Sequence, residues 1–225
     1  MNPDKLFLYQ QFAATLLDYA VNGEKGRDEL DPIYQQIVEE RDGPTAKQRA
    51  RYSSCADLAF WLYARLGCIG MPTMNRDEEP GIGGESDWIV SVNLNRWCGP
   101  PIGPNKYAKK AGEYEFDTGD VIVVNNRFGG HVIVVTACES DMVFTAEYGQ
   151  PGGKAKEHNI DNYGVGMKNL NGNPILAHTR MIDVLEGEEK SGRLGPADVD
   201  VLNGWQSEDA LREFRRQLNS ENYED

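Results

Sequence analysis

The chain has 225 residues, and its 36 acidic and 23 basic side chains give a formal net charge of -13 at pH 7. That charge argues against a nucleic-acid-binding surface and against docking on anionic lipid, because both need clustered positive charge. With 40% hydrophobic residues, the chain is expected to form one sizeable domain with extensions. No apolar run approaches the ~20 residues of a membrane helix, and the N-terminus lacks the layout of a secretory signal. We therefore expect the protein to be made in the cytoplasm.

The first part of the chain is predicted to be helical. Hydrophobic residues recur at helical spacing over residues 4–21, and Asn22-Gly23 ends the run. Asp31-Pro32 is typical of a helix start, with an N-cap followed by proline in the first turn. Residues 1–47 are therefore expected to form an N-terminal helical extension.

A cysteine stands at the start of the next predicted helix, which covers residues 54–66. A helix N-terminus carries partial positive charge and lowers the pKa of a thiol, which makes Cys55 a candidate nucleophile. Its backbone N–H group would also be placed to bind an oxyanion. Taken alone, a cysteine on an amphipathic helix is more often a small core residue.

A long irregular connection follows, because residues 70–112 are rich in glycine, proline and asparagine. Connections of that length are uncommon unless they are functional, for example in lining a cleft. Trp88 and Trp97 lie in this segment, and with Tyr148 they are candidate substrate-binding aromatics. Aromatic residues of this kind are more often core or loop anchors.

From Phe116 onward the pattern favours β-strands. Strands are predicted over residues 120–125, 131–137 and 142–147, and a further one over 175–185. The apolar run 132–135 does not alternate with polar residues, which indicates a strand buried on both faces. A glycine-preceded histidine, His131, opens this strand, and Glu147 ends the next one. We interpret His131 as a candidate general base and Glu147 as the residue that orients its ring.

The remaining cysteines and histidines are not assigned to the chemistry. The cysteines show no metal-ligand spacing and no acidic cluster stands nearby, so neither a metal nor another cofactor is expected. Disulfides are not expected in a reducing compartment. His158 lies in a polar run typical of a surface, and His178 lies in an apolar run where a structural hydrogen bond is the favoured interpretation.

The C-terminal part is predicted to be a polar linker, an amphipathic helix and an acidic tail. The linker covers residues 187–193, and the helix runs from a Ser207 cap to about Leu218. Residues 187–225 are therefore treated as a C-terminal extension. The terminal helices are possible docking surfaces for a partner.

Three short motifs together resemble the papain-like cysteine amidases and endopeptidases, most closely the CHAP and NlpC/P60 families. They are the cysteine at a helix start, the strand that begins at Gly119-Asp120, and the strand that begins at Gly130-His131. The resemblance covers about residues 48–150. In CHAP domains a glutamate follows the histidine strand, and here Glu147 lies 16 residues beyond His131.

The resemblance implies an α+β, papain-like catalytic domain over residues 48–186, in which the nucleophile helix packs on an antiparallel β-sheet. It also implies the roles of nucleophile for Cys55, general base for His131 and orienting residue for Glu147. The implied reaction is thiol-dependent hydrolysis of an amide bond, with a peptide of the bacterial cell wall, peptidoglycan, as the implied substrate. Such a substrate would require delivery by lysis, by a phage particle or by a secretion system that needs no signal.

Two other interpretations remain open. A non-catalytic binding or virion-associated module could keep the same fold, and Ser54 and Gly149 depart from the residues common at those positions in these families. A thiol-dependent deamidase or acyltransferase would share the nucleophile and base of a hydrolase, so the sequence does not separate these activities.

Overall fold

The computed structural model describes residues 1–23, 57–68, 108–109, 115–126, 129–139, 142–147, 156–160, 169–170 and 172–219. Within these ranges the chain is α+β. Four helices are present, α1 (Pro3–Asn22), α2 (Asp57–Arg65), α3 (Met181–Lys190) and α4 (Glu208–Leu218), together with a short 3-10 turn (Val199–Leu202). Caps explain two of the starts, because the Asn2 and Ser207 side chains accept hydrogen bonds from backbone N–H groups of α1 and α4.

The strands of the described residues form an antiparallel sheet in the order β1-β7-β2-β3-β4-β5, and β6 pairs only with β7. Their bounds are β1 Ala108–Lys109, β2 Val121–Asn126, β3 Gly129–Glu139, β4 Met142–Glu147, β5 Lys156–Ile160, β6 Asn169–Leu170 and β7 Asn173–Thr179. Strands β2 to β5 follow one another as a meander. Strand β7 then returns to the far side of β2, which places the C-terminal part of the chain beside the start of the sheet.

The sheet is buried on both faces. Val121, Val123, Val132 and Val134 belong to the same core as the apolar residues of α1, α2, α3 and α4. The alternate positions of the same strands join a second, smaller core on the opposite face, formed by Phe116, Ile122, Val124, Ile133, Val135, Val143, Leu170 and Ile175. The run 132–135 is buried at every position, which confirms the prediction of a strand buried on both faces.

The helices near the two ends of the chain pack on the same core as α2. The Phe12 ring of α1 lies 5.3 Å from the Phe214 ring of α4, measured between centroids. The Tyr19 ring of α1 stacks on Trp61 of α2 and meets Trp205 edge-on. In the described part of the chain, α1 and α4 are therefore integral to the main core.

Two predicted elements differ in the structure. The strand predicted over 175–185 ends at Thr179, and Met181 begins a helix that runs through Lys190, where a linker was predicted. The short apolar run after Thr179 suits a strand or a helix equally, and contacts with the Asp120 carboxylate favour the helix, as described below. The helix predicted over 31–41 lies outside the described residues. Among the described helices, none has the length and apolar character to span a membrane.

Candidate functional site

His131 and Glu147 are in contact in the structure. The Nε2 atom of His131 and the Oε2 atom of Glu147 form a hydrogen bond or ion pair between strands β3 and β4. The two side chains are only 13% and 14% exposed, so the pair is largely shielded from water. A carboxylate on one ring nitrogen fixes the orientation of the imidazole. The catalytic roles of the two residues remain a prediction.

A β-bulge in β3 is what brings this pair together. The register between β3 and β4 shifts between Val135 and Ala137, and Val134 is paired with Ala146 beyond the shift. One residue further along this register, Glu147 lies opposite Ile133. Ile133 and His131 are two residues apart on β3, so Glu147 and His131 lie on the same face of the sheet. Without the extra residue in β3, Glu147 would lie opposite Val134. It would then face the helices, because a shift of one residue in the register moves a side chain to the other face of the sheet.

Cys55 lies outside the described residues, two positions before the first residue of α2. The helix α2 lies on one face of the sheet. This helix packs on the face of the sheet formed by Val132 and Val134, whereas His131 belongs to the opposite face with Val124, its partner in the ladder. The described part of α2 and His131 therefore lie on opposite faces of the sheet.

The predicted aromatic contacts with substrate also fall outside the described residues. This applies to Trp88, Trp97 and Tyr148. Of the predicted site, the structure thus describes His131 and Glu147 and brings these two together.

A second histidine–carboxylate pair lies at the other end of β2, and this pair is buried. The Oδ2 atom of Asp120 lies 2.6 Å from Nε2 of His178, and the two side chains are 2% and 0% exposed. The Asp120 carboxylate also accepts hydrogen bonds from the backbone N–H groups of Asp117, at 3.0 Å, and Met181, at 2.8 Å. The prediction of a structural hydrogen bond for His178 is confirmed.

The contact between Asp120 and His178 has a structural role. Burial raises the pKa of Asp120, and the hydrogen bonds and charge of His178 act in the opposite direction. The Nδ1 atom of His178 is buried without a hydrogen-bond partner, and the ring meets Phe116 edge-on at a centroid distance of 4.8 Å. Sequence reasoning singled out Gly119-Asp120 as the start of a strand but missed that Asp120 joins β2, β7 and α3. The sequence feature that pointed to this contact was a histidine, His178, within an apolar run, where a buried side chain needs a hydrogen-bond partner.

A pocket of about 520 Å³ opens between α1 and the start of α3, beside the Asp120 pair. Its walls carry both signs of charge, from Glu115, Asp117, Asp120 and Arg180. Asp117 accepts a hydrogen bond from the Gln10 side chain at 2.5 Å, which ties α1 to the pocket wall. The pocket is lined by the carboxylate that organises the fold and does not include His131 or Glu147.

The two cysteines of the described residues lack the features of a nucleophile. Cys68 is buried, and burial raises the pKa of its thiol, with a further contribution from the nearby Glu188. Cys138 is exposed as a residue, but its Sγ lies 3.3 Å from the carbonyl oxygen of Phe116. Partial burial of that thiol, together with nearby carboxylates such as Asp117, raises the pKa of Cys138 to about 12.

Within the part of the chain that the structure describes, no group of three or more histidine, cysteine, aspartate or glutamate side chains could hold a metal ion. Comparisons with protein-family models, with curated proteins and with solved structures find no match to this chain. The resemblance to the papain-like families therefore rests on the three motifs, and the function must be argued from the site.

Proposed function

We propose that the protein is a papain-like cysteine hydrolase that cleaves an amide bond, with a cell-wall peptide as the substrate class. The observation that carries the proposal is the contact between Nε2 of His131 and the Glu147 carboxylate. A carboxylate in this position orients the ring and stabilises the imidazolium, which is what a base paired with a thiolate needs. Nδ1 is then the ring nitrogen that would exchange a proton with Cys55.

In the proposed reaction the Cys55 thiolate attacks the carbonyl carbon of the scissile amide. Backbone N–H groups at the start of the nucleophile helix would bind the oxyanion of the tetrahedral intermediate. The imidazolium of His131 then gives its proton to the departing amine, and a thioester is left on Cys55. Water, deprotonated by His131, hydrolyses the thioester to a carboxylic acid and restores the thiol.

A binding module without thiol chemistry is the second candidate, and one observation favours it. His131 and the nucleophile helix lie on opposite faces of the sheet, so that the pair could serve recognition alone. In that case Cys55 would behave as an ordinary thiol.

Alkylation of each cysteine as a function of pH tests the proposal without a substrate. We expect Cys55 to react fast near neutral pH, which lies below the pKa of ~8.5 of an ordinary thiol. The reason is that a thiolate–imidazolium pair would keep the Cys55 thiol ionised. The variant His131→Ala should slow Cys55 by about tenfold or more, and Glu147→Gln should slow it by a smaller factor. Mass spectrometry of the digested protein gives the rate for each cysteine separately.

Two cysteines of the same chain serve as internal controls. Cys68 and Cys138 have thiol pKa values raised by burial and should react slowly in all variants. If Cys55 reacts no faster than Cys138, and if His131→Ala changes nothing, the hydrolase proposal is wrong and the binding module is favoured. If the pair is present, the products from peptidoglycan fragments separate the thiol reactions: a free amine with a carboxylic acid that has incorporated oxygen from water identifies hydrolysis, whereas a new amide identifies transfer, and Cys55→Ala should form neither.

A further inference from the structure

The pocket between α1 and the start of α3 is organised by a single carboxylate. The Oδ2 atom of Asp120 accepts a hydrogen bond from the N–H group of Asp117 at 3.0 Å, and its Oδ1 atom accepts one from the N–H group of Met181 at 2.8 Å. Asp120 therefore holds the segment before β2 beside the first residue of α3. Both segments line the same pocket, which has a volume of about 520 Å³.

The segment before β2 supplies negative charge to the pocket. Glu115 and Asp117 are exposed and belong to its lining. The Asp117 carboxylate accepts hydrogen bonds from the Gln10 side chain at 2.5 Å and from the N–H group of Thr118 at 2.8 Å, and both donors are neutral. Within the described ranges, neither Glu115 nor Asp117 forms an ion pair. Their negative charge is therefore available to a cationic group of a ligand.

The start of α3 supplies positive charge to the same pocket. Arg180 lines it, and its Nη1 atom makes a long contact of 3.7 Å with Oδ1 of Asp183. A guanidinium group carries five N–H donors, so it can bind a ligand carboxylate in addition to Asp183. The N-terminal end of a helix also favours negative charge. Leu6 and Ile182 add apolar surface to the lining.

We propose that this pocket binds a small zwitterion of about the size of a dipeptide. Its ammonium group contacts Glu115 and Asp117, and its carboxylate contacts Arg180. The pocket volume lies within the range of about 300–1,000 Å³ that is typical of small-molecule sites. Because the lining contains neither His131 nor Glu147, the inference does not depend on the proposed function.

Calorimetric titration of the full chain with three related peptides tests the charge requirement without any mutation. The peptides are leucyl-leucine with free termini, its N-acetylated form and its C-terminal amide. We expect leucyl-leucine to bind about tenfold more tightly than either blocked form, because each block removes one charged contact.

Two variants assign the two ends of the ligand. Asp117→Asn should weaken leucyl-leucine by about tenfold but should not weaken the N-acetylated form, which lacks the ammonium group. Arg180→Gln should weaken leucyl-leucine in the same way but not the C-terminal amide, which lacks the carboxylate. Asp209→Asn is the matched control for charge, because Asp209 is 92% exposed on α4 and does not line the pocket. It should leave all three affinities unchanged.

The inference is wrong if leucyl-leucine does not bind at millimolar concentration, if the three peptides bind equally, or if both folded pocket variants bind like Asp209→Asn. It is also wrong if His131→Ala abolishes binding and Asp117→Asn does not, because the dipeptide would then occupy the candidate active site. Failure of the proposed function has a different signature, namely slow Cys55 alkylation while the dipeptide still binds in a manner that depends on Asp117 and Arg180.

Discussion

At the scale of single residues, Gly119 shows how closely the start of β2 approaches α3. Its φ angle of 88° lies in the left-handed region, and a Cβ atom there would lie 2.3 Å from the Sδ atom of Met181. Its N–H group donates to the carbonyl of Val135, and its own carbonyl accepts a hydrogen bond from the Tyr63 hydroxyl at 3.0 Å. A side chain at this position would disturb contacts with the sheet and with two helices.

We expect Gly119→Ala to lower the free energy of unfolding by about 2–4 kcal/mol, from left-handed backbone strain and from the clash with Met181. Urea unfolding followed by circular dichroism measures the loss. Gly172→Ala is the matched control, because Gly172 has a φ angle of 78° and, apart from its chain neighbours, no described atom lies within 4 Å of an added Cβ. It should show the strain alone, about 1 kcal/mol. Equal losses for the two variants would show that Met181 moves aside at no cost.

At the scale of secondary-structure elements, two polar contacts hold α2 in place, one near the sheet and one at its C-terminal end. The Tyr63 hydroxyl, which is fully buried, donates to the carbonyl oxygen of Gly119. Burial raises the pKa of Tyr63 far above its ordinary value, with a further contribution from Asp120, so the hydroxyl keeps its proton and stays a donor. At its C-terminal end the helix is anchored by the contact between Arg65 and Asp198. These contacts hold α2, whose first residue, Asp57, follows Cys55 by two positions in the sequence.

Removing the hydroxyl tests the Tyr63 contact. We expect Tyr63→Phe to lower the free energy of unfolding by about 1–3 kcal/mol, because the Gly119 carbonyl loses a buried donor. Chemical unfolding of the purified variant measures it. Tyr9→Phe makes the same chemical change at a tyrosine of the same core that is 2% exposed on α1. A smaller loss in Tyr63→Phe than in Tyr9→Phe would contradict the importance of the Gly119 contact.

At the scale of the whole molecule, the described helices share one core across the sheet face. α1 contributes Phe12, Leu16 and Leu17 to it, and each is fully buried. α4 contributes Leu211 and Leu218, although it lies almost 200 residues later in the chain. Because helices from both ends of the chain share this core, we expect the described part to unfold as one cooperative unit.

We expect Phe12→Ala to lower the free energy of unfolding by about 3–5 kcal/mol and to leave a single transition. Circular dichroism and tryptophan fluorescence should give the same midpoint, because Trp205 packs against Tyr19 in this core. Phe7→Ala on the same helix is the control, and since Phe7 is 58% exposed, a change within about 0.5 kcal/mol is expected. Two separated transitions would show that α1 and α4 form an independent unit.

The local elements with strong patterns could be predicted from the sequence. The strand predicted over 142–147 matches β4, and the helix predicted over 4–21 is α1 with one residue added at each end. Clear periodicity and a stop signal are local properties, which explains this success. The segment after Thr179 was assigned wrongly because its apolar run has no such signal. Its helical start depends on Asp120, which lies 61 residues earlier in the chain.

The sequence by itself determined strands β2, β3 and β4, the buried character of the 132–135 run and the presence of a histidine and a glutamate on consecutive strands. It could not determine which face each side chain occupies, because that depends on the register. The bulge between Val135 and Ala137 places Glu147 on the same face of the sheet as His131. The pairing of β7 with β2 brings His178 into contact with Asp120. Such pairings are decided by tertiary structure, since one extra residue in a strand exchanges the faces of all residues beyond it.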